Sequence, residues 1–403
     1  MLNASSAVVR HISPSLALDL NPLNAEARID LAWKELNTPS DLPPPELRKA
    51  ITNGIGLAPI DARFYSLMGL VEAREGDRQE ASRLFDQALA LLPTEIQALT
   101  HKLAYDIEDG DYSAAVDHVE LIGRRWGEHW PLVEPVLPAL LSHDLARNHL
   151  ISRFGQDPRL RGLLVSSLAK EESTLPFGYE VLVHWHALGV EDLDAQINHL
   201  TQSLIRNGRY ADAFLLFRLT RSPQAEREAG YVHNGEFRMT PTGNPFDWQL
   251  KGQAGVDFQF ARQQTEPLDE STPGEDGSPA GGDNELVVRF LNNPIQFKNI
   301  SQFIRLAPGE YQLAISYAVR DLTAPKPLQL AIQCAESNRT VTAVELQDGS
   351  TDGVENMSQF AIPATDCSLQ QLYIFNETMP MSWKNRYSGS LHLDSIVISR
   401  REN

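Results

Sequence analysis

The sequence predicts two domains of different class, an N-terminal all-α region of paired helices and a C-terminal all-β sandwich. Apolar residues recur at helical spacing over residues 61–93, which predicts amphipathic helices. Near Ala229 the pattern changes to short alternating strands separated by Gly, Pro and Asn turns. We therefore place the helical domain at residues 1–225 and the sandwich at residues 230–403.

Residues 61–93 predict two short helices folded against each other as an αα-hairpin. Small side chains at Gly69 and Ala81 allow the two backbones to approach closely. Gly76 and Asp77 form the turn, and Asp77 followed by Glu80 is a capping-box pattern that starts the second helix. Weaker copies of this plan occur at residues 96–122 and 207–220.

The hairpin resembles the tetratricopeptide repeat, although Glu72 stands where that family usually has an aromatic residue. The resemblance covers residues 17–221 and implies a solenoid of stacked helix pairs. In this family the first helices line a groove that binds peptides, and a solvated helix face is the alternative. The signature positions are Tyr65, Met68, Gly69, Gly76, Ala81, Phe85, Ala88 and Pro93. The groove candidates by position are Arg63, Ser66, Leu70 and Arg74.

In the β domain, apolar and polar residues alternate over residues 309–317 and again over 328–334, which predicts strands of a sandwich. Asn-Gly-Glu-Phe at residues 234–237 opens the domain, and residues 389–398 close it. With Asp247-Trp248 and residues 302–311 between them, the domain resembles the carbohydrate-binding modules of the galactose-binding-like jelly-roll group over residues 232–399.

That resemblance implies a glycan-binding surface with aromatic faces for sugar C–H groups and amide side chains for hydroxyls. Packing of the aromatic rings in the core or rim is the alternative, and we expect core packing for Trp248. Modules of this group often hold a structural calcium ion. Arg238 replaces its first acidic ligand here while Asp394 is present, so we expect no calcium site. The glycan-binding candidates are Tyr373, Phe375, Trp383, Tyr387, Gln312, Gln333 and His392.

The two cysteines, Cys334 and Cys367, allow two interpretations. Two buried thiols fit a cytosolic protein, and a disulfide between neighbouring strands fits an oxidising compartment; we favour the disulfide. Residues 263–285 are acidic, rich in Gly, Pro and Ser, and free of Lys and Arg, which predicts a disordered loop inserted in the β domain.

At 403 residues the chain carries a formal net charge of −18, which argues against nucleic acid or an anionic membrane surface as the main partner. Basic proteins or neutral glycans fit better. The first residues contain no apolar run long enough for a membrane span or a secretory signal. Because residues 15–22 match only the end of a repeat, we expect further coding sequence upstream, with an export signal or anchor.

We find no phosphate-binding glycine loop, nucleophile elbow or zinc motif, and we expect no cofactor. His184 and His186 are two apart on a predicted helix, so packing is the better interpretation than metal binding. The leading hypothesis is a non-catalytic scaffold that docks a protein partner and carries a glycan-binding sandwich, with a role in bacterial envelope polysaccharide assembly or export. The alternatives are a pure interaction scaffold with a structural sandwich and a carbohydrate-active enzyme with an unrecognised site. We expect the envelope or periplasm as the location, and the cytoplasm is the alternative because no signal peptide is visible.

Overall fold

The structure is a computed structural model that confirms the predicted order of a helical region followed by an antiparallel β-sandwich. The chain divides into two compact units, Met1–Ser167 and Leu168–Asn403. Residues 263–283 of the predicted acidic loop lie outside the described residues. The described residues are 6, 8–38, 45–219, 230–262, 284–377 and 382–401.

The described residues of the first unit form a series of α-helices and two 3₁₀ segments, Gly127–Leu132 and Glu134–Val136. No helix in the described ranges is long and apolar enough to cross a membrane. The helices are α1 (Pro14–Leu20), α2 (Ala25–Leu36), α3 (Pro45–Leu57), α4 (Ala62–Glu75), α5 (Arg78–Leu91), α6 (Ile96–Asp109), α7 (Tyr112–Arg125), α8 (Leu137–Ser142), α9 (Asp144–Gly155) and α10 (Pro158–Leu168).

Local sequence sets the turn between α4 and α5. Gly76 ends α4 in the left-handed conformation with φ of 89°, which glycine adopts without a Cβ clash. Asp77 begins α5 by accepting a hydrogen bond from the Glu80 N–H at 3.0 Å, as the capping pattern predicts. Gly110 and Asp111 repeat this arrangement between α6 and α7.

Helices α4 and α5 pack closely because Gly69 has no side chain. A Cβ at this position would lie only 2.6 Å from Cε1 of Phe85, whose ring is fully buried. The predicted close approach at Gly69 is therefore confirmed. Phe85 also stacks on His101 of α6, with ring centroids 5.0 Å apart, so one ring joins three helices.

We predict that Gly69→Ala destabilises the first unit by about 1–2 kcal/mol, because overpacking against Phe85 outweighs the better helix propensity of alanine. Gly56→Ala is the matched control, since nothing lies within 4 Å of a Cβ at that helical position. It should gain about 0.5–1 kcal/mol. Urea unfolding followed by far-UV circular dichroism measures both, and a Gly69→Ala protein as stable as the wild type would contradict the packing argument.

The second unit begins with helices and continues into two five-stranded antiparallel sheets. Sheet A has the order β1-β4-β9-β6-β7, and sheet B has the order β2-β3-β10-β5-β8. The helices are α11 (Leu175–Ala187), α12 (Asp194–Arg206) and α13 (Tyr210–Leu219). The strands are β1 (Gln249–Leu250), β2 (Val256–Arg262), β3 (Asn284–Pro294), β4 (Ile300–Ile304), β5 (Gly309–Thr323), β6 (Leu328–Cys334), β7 (Thr340–Glu345), β8 (Gly349–Ile362), β9 (Gln370–Asn376) and β10 (Arg386–Arg400).

Helices α12 and α13 contact the segment that leads into the sandwich. Phe217 of α13 stacks on Phe246, with ring centroids 5.5 Å apart. Asn198 of α12 donates a hydrogen bond to the Thr242 carbonyl at 2.9 Å and accepts one from Asn244 at 2.8 Å. The compact unit therefore starts before residue 230, where the sequence pattern alone places the start of the sandwich.

The opening and closing segments of the sandwich are joined directly. The Ile396 N–H of β10 donates a hydrogen bond to the Gly235 carbonyl at 2.8 Å. A Cβ at position 235 would lie 2.4 Å from the Ile396 carbonyl oxygen, so only glycine allows this approach. Phe237 then stacks on Trp248 at 5.3 Å, and both rings are buried in the core, as predicted for Trp248.

Cys334 and Cys367 form a disulfide that joins the end of β6 to the chain just before β9, with Cα atoms 4.7 Å apart. Both residues belong to the buried core between the sheets. The bond closes a loop with a sequence separation of 33 that contains β7 and β8.

We predict that the double variant Cys334→Ala with Cys367→Ala lowers the free energy of unfolding of the second unit by about 4 kcal/mol. Closing a loop with a separation of 33 residues restricts the unfolded chain by about this amount. Thermal unfolding with and without dithiothreitol measures the effect. An unchanged melting temperature of the wild-type protein in dithiothreitol would contradict this prediction.

Candidate functional site

Strand β9 presents two aromatic rings on the outer face of sheet A. Leu372 and Ile374 point into the core, so Tyr373 and Phe375 point away from it. Their ring centroids are 5.1 Å apart. The sequence alone allows either pair to face the core. The structure shows that Tyr373 and Phe375 are the pair on the outer face.

Amide and ammonium groups surround these rings. The Tyr373 hydroxyl donates a hydrogen bond at 3.0 Å to Oε1 of Gln333, which lies on the neighbouring strand β6. Gln371 on β9 lies opposite Gln333, and Lys298 places Nζ 4.7 Å from the Tyr373 ring centroid, a cation–π contact. The outer face of sheet A therefore combines aromatic and hydrogen-bonding groups within a few residues.

Tyr373 itself is only 5% exposed, so its ring is not an open stacking face. The adjacent Phe375 is half-buried and Lys298 is exposed. Tyr373 thus forms the base of the surface and positions Gln333, while Phe375 supplies the aromatic face that reaches solvent. We use the name amide–aromatic surface for Gln333, Gln371, Tyr373, Phe375 and Lys298.

The other predicted glycan contacts lie elsewhere. Gln312 on β5 and His392 on β10 face outward from sheet B, the opposite side of the sandwich. Trp383 is 71% exposed in the connection between β9 and β10. The expectation of one surface holding all seven candidates is therefore wrong, because the candidate strands belong to different sheets.

The prediction that Tyr387 lies in a polar loop and contacts a glycan is wrong. Tyr387 is fully buried, its ring centroid lies 5.8 Å from that of Phe290, and its hydroxyl donates to the Lys326 carbonyl at 2.8 Å. Burial raises the pKa of this phenol. Strand β10 already begins at Arg386, so alternation with Leu391 directs Tyr387 into the core instead of leaving it in a polar loop.

Sequence reasoning missed Gln371 and Lys298. Alternation along β9 carries the signal for Gln371, since it shares the parity of Tyr373 and Phe375. Lys298 lies in the connection between β3 and β4, where no periodic pattern indicates the direction of a side chain. Its contact with Tyr373 becomes visible only when β9 and β4 pair.

In the helical unit, three of the four groove candidates share an accessible stripe of α4. Leu70 is half-buried and Arg74 is exposed. Arg63 is partly exposed and forms ion pairs with Glu26 at 2.6 Å and Asp61 at 2.7 Å. Hydrogen bonds from Arg63 lower the pKa of Glu26.

Ser66, the fourth candidate, does not line an accessible groove. It is 1% exposed and donates a hydrogen bond to Oε2 of Glu95 at 2.5 Å. The same carboxylate oxygen accepts the Ala98 N–H at 2.7 Å and so caps α6. Ser66 is therefore wrong as a groove residue, because Glu95, the N-cap of α6, covers it.

Burial raises the pKa of Glu95 in the folded protein above its ordinary value of 4.5. The folded state then binds this proton more tightly than the unfolded chain does. Between 4.5 and the raised value, lowering the pH therefore stabilises the fold, and raising the pH removes that contribution.

We predict that the free energy of unfolding of Glu95→Gln, relative to that of the wild type, is highest near neutral pH and falls on acidification. The glutamine oxygen still accepts from Ser66 and Ala98 but has no charge to bury. Urea unfolding of both proteins at about pH 7 and about pH 5 measures the difference. A stability difference independent of pH would contradict the raised pKa.

Within the described ranges, no group of three or more His, Cys, Asp or Glu side chains could hold a metal ion. Arg238, at the position of the missing calcium ligand, pairs with Glu236 at 2.7 Å. The Ser316 hydroxyl lies 3.4 Å from the Asp394 carboxylate.

No family model matches the chain, and no curated protein matches it. Among solved structures it is similar to one described as "CBM4 structure and function", at 15% identity and a TM-score of 0.29, over 42% of this chain and 99% of that chain. It is also similar to TmCBM61 in complex with β-1,4-galactotriose, at 15% identity and a TM-score of 0.28, over 43% and 100%. A putative sugar binding protein from Bacteroides thetaiotaomicron matches at 9% identity and a TM-score of 0.27, over 43% and 100%. At these identities the function of this chain has to be argued from its own residues.

Proposed function

We propose that this protein is a non-catalytic scaffold whose β-sandwich binds a neutral glycan on the amide–aromatic surface of sheet A. The observation that carries the proposal is the convergence of Phe375, Gln333, Gln371 and Lys298 around Tyr373 on one sheet face. Sugars present both C–H faces and hydroxyl groups, so a ligand of this class matches the two kinds of group present there.

The roles of the side chains follow from their exposure. Phe375 offers a ring face for stacking, and the amides of Gln371 and Gln333 have donor and acceptor capacity for hydroxyls. Gln333 is held from two sides, because its Oε1 accepts from Tyr373 and its Nε2 donates to Asn338 at 2.9 Å. Such fixed groups lose little conformational freedom when they bind a ligand.

Calorimetric titration of the full chain against a panel of soluble neutral polysaccharides tests the proposal. We expect binding that Phe375→Ala weakens at least about tenfold, or ~1.4 kcal/mol, since it removes the exposed ring. Gln312→Ala on sheet B is the matched control and should bind like the wild type.

Thermal unfolding verifies that both variants remain folded. If no polysaccharide binds, or if Phe375→Ala binds as tightly as the wild type, sheet A is not the glycan site. Loss of binding in Gln312→Ala alone would move the site to sheet B.

For the helical region we propose a tetratricopeptide-like solenoid that docks a protein partner. Gly76 with Asp77 and Gly110 with Asp111 form equivalent turns, about one 34-residue repeat apart, which supports the repeat interpretation. The accessible stripe of α4 supports a docking role. The disulfide supports an oxidising compartment, in line with a role in envelope polysaccharide assembly or export.

The second candidate function is a pure interaction scaffold with a structural sandwich. One observation favours it: the Tyr373 ring is covered, which leaves Phe375 as the accessible ring of that pair. A folded chain that binds none of the polysaccharides would support this alternative.

A further inference from the structure

The outer face of sheet B carries two arginines on either side of one serine. Ser390 on β10 lies opposite Arg289 on β3 and opposite Arg320 on β5. The neighbours Leu391, Val288 and Val319 belong to the core, so all three polar residues project from the outer face.

Adjacent strands lie about 4.8 Å apart, so two strands that flank a third are separated by roughly 10 Å. Both arginines are exposed, and within the described part of the chain neither guanidinium forms an ion pair. Asp257 lies opposite Arg289 on β2 and accepts a hydrogen bond from Gln259 at 3.2 Å. It remains a negative charge near Arg289, although the two form no ion pair among the described residues. Guanidinium groups on both sides of one hydroxyl present N–H donors that suit an oxyanion.

The serine is oriented by its neighbours. Its Oγ lies 2.9 Å from Nε2 of His392, and Nδ1 of His392 lies 3.1 Å from Oε1 of Glu285. A hydroxyl has one donor and two acceptor sites, so the Ser390 O–H can donate to a ligand when His392 carries a proton on Nε2 and donates to Oγ. When the only ring proton is on Nδ1, facing Glu285, the Ser390 O–H donates to Nε2 instead. Strand β5 has one extra residue where it passes Gly389, because Ser388 lies opposite Thr323 and Ser390 lies opposite Arg320.

We propose that Arg289, Ser390 and Arg320 bind an oxyanion group, a carboxylate or a sulfate, of an acidic polysaccharide. Both groups accept paired N–H donors from arginine. The net charge of −18 repels such a polymer at long range, but ionic screening over about 8 Å at physiological salt leaves the local arginines dominant at contact. A flat, open strand face accommodates a chain that continues beyond the bound group. This site goes beyond the proposed neutral-glycan surface and does not depend on it.

Calorimetry of the full chain with polygalacturonate, which carries carboxylates, and with dextran sulfate tests the proposal and separates the two anions; neutral dextran is the reference. We expect at least one anionic polymer to bind. The double variant Arg289→Gln with Arg320→Gln should weaken that binding at least about tenfold, and Ser390→Ala should weaken it less. The matched control is Arg305→Gln with Arg339→Gln, which removes the same charge at exposed positions outside sheet B and should retain binding.

Equal weakening by both double variants would overturn the proposal, because net charge alone would then explain the interaction. Failure of the folded wild-type chain to bind either anionic polymer would overturn it as well. Phe375→Ala separates the two sites: it should leave acidic-polymer binding unchanged while lowering binding of a neutral glycan. Thermal unfolding of every variant confirms that a lost signal reflects the site.

Discussion

The alternation of strand residues between core and outer face controls what the sandwich can present to a ligand. Leu372 and Ile374 are held in the core of sheet A, and this fixes Tyr373 and Phe375 outside it. The same rule acts on β10, where buried Leu391 fixes its polar neighbours on the other side. The two outer faces are therefore chemically different: one carries aromatic rings and amides, and the other carries Arg289 and Arg320 on either side of Ser390.

Much of this arrangement was predictable from short-range patterns. The strands at residues 309–317 and 328–334 follow from alternation, and β6 occupies Leu328–Cys334. The grouping of candidates was not predictable, because strand order depends on pairing between distant segments. His392 and Gln333 are both polar residues in alternating strand patterns, but their strands belong to different sheets. The prediction for Tyr387 is wrong for a local reason. Sequence pattern places the start of the last strand at residue 389, whereas β10 begins at Arg386 and therefore includes Tyr387 in its alternation.

In the helical unit, features that depend on one hairpin were also predictable, and features that depend on a neighbouring hairpin were not. The capping of α5 by Asp77 and the close packing at Gly69 depend on residues within one hairpin, and sequence reasoning found both. The burial of Ser66 depends on Glu95, which belongs to the following helix pair. A repeat signature specifies the hairpin but not which side chain the next hairpin covers. A residue on the exposed face of one hairpin is therefore buried wherever the neighbouring hairpin places a capping side chain over it, as Glu95 does over Ser66.

The disulfide between Cys334 and Cys367 has a mechanical consequence. It links the end of β6 directly to the chain just before β9, although the two cysteines are 33 residues apart along the chain. At roughly 3.4 Å per residue, about 110 Å of contour length is removed from the path between the chain ends. A pulling force applied at those ends would pass through the sulfur bridge and leave β7 and β8 unstretched. The covalent bridge therefore limits how far the chain can lengthen under load.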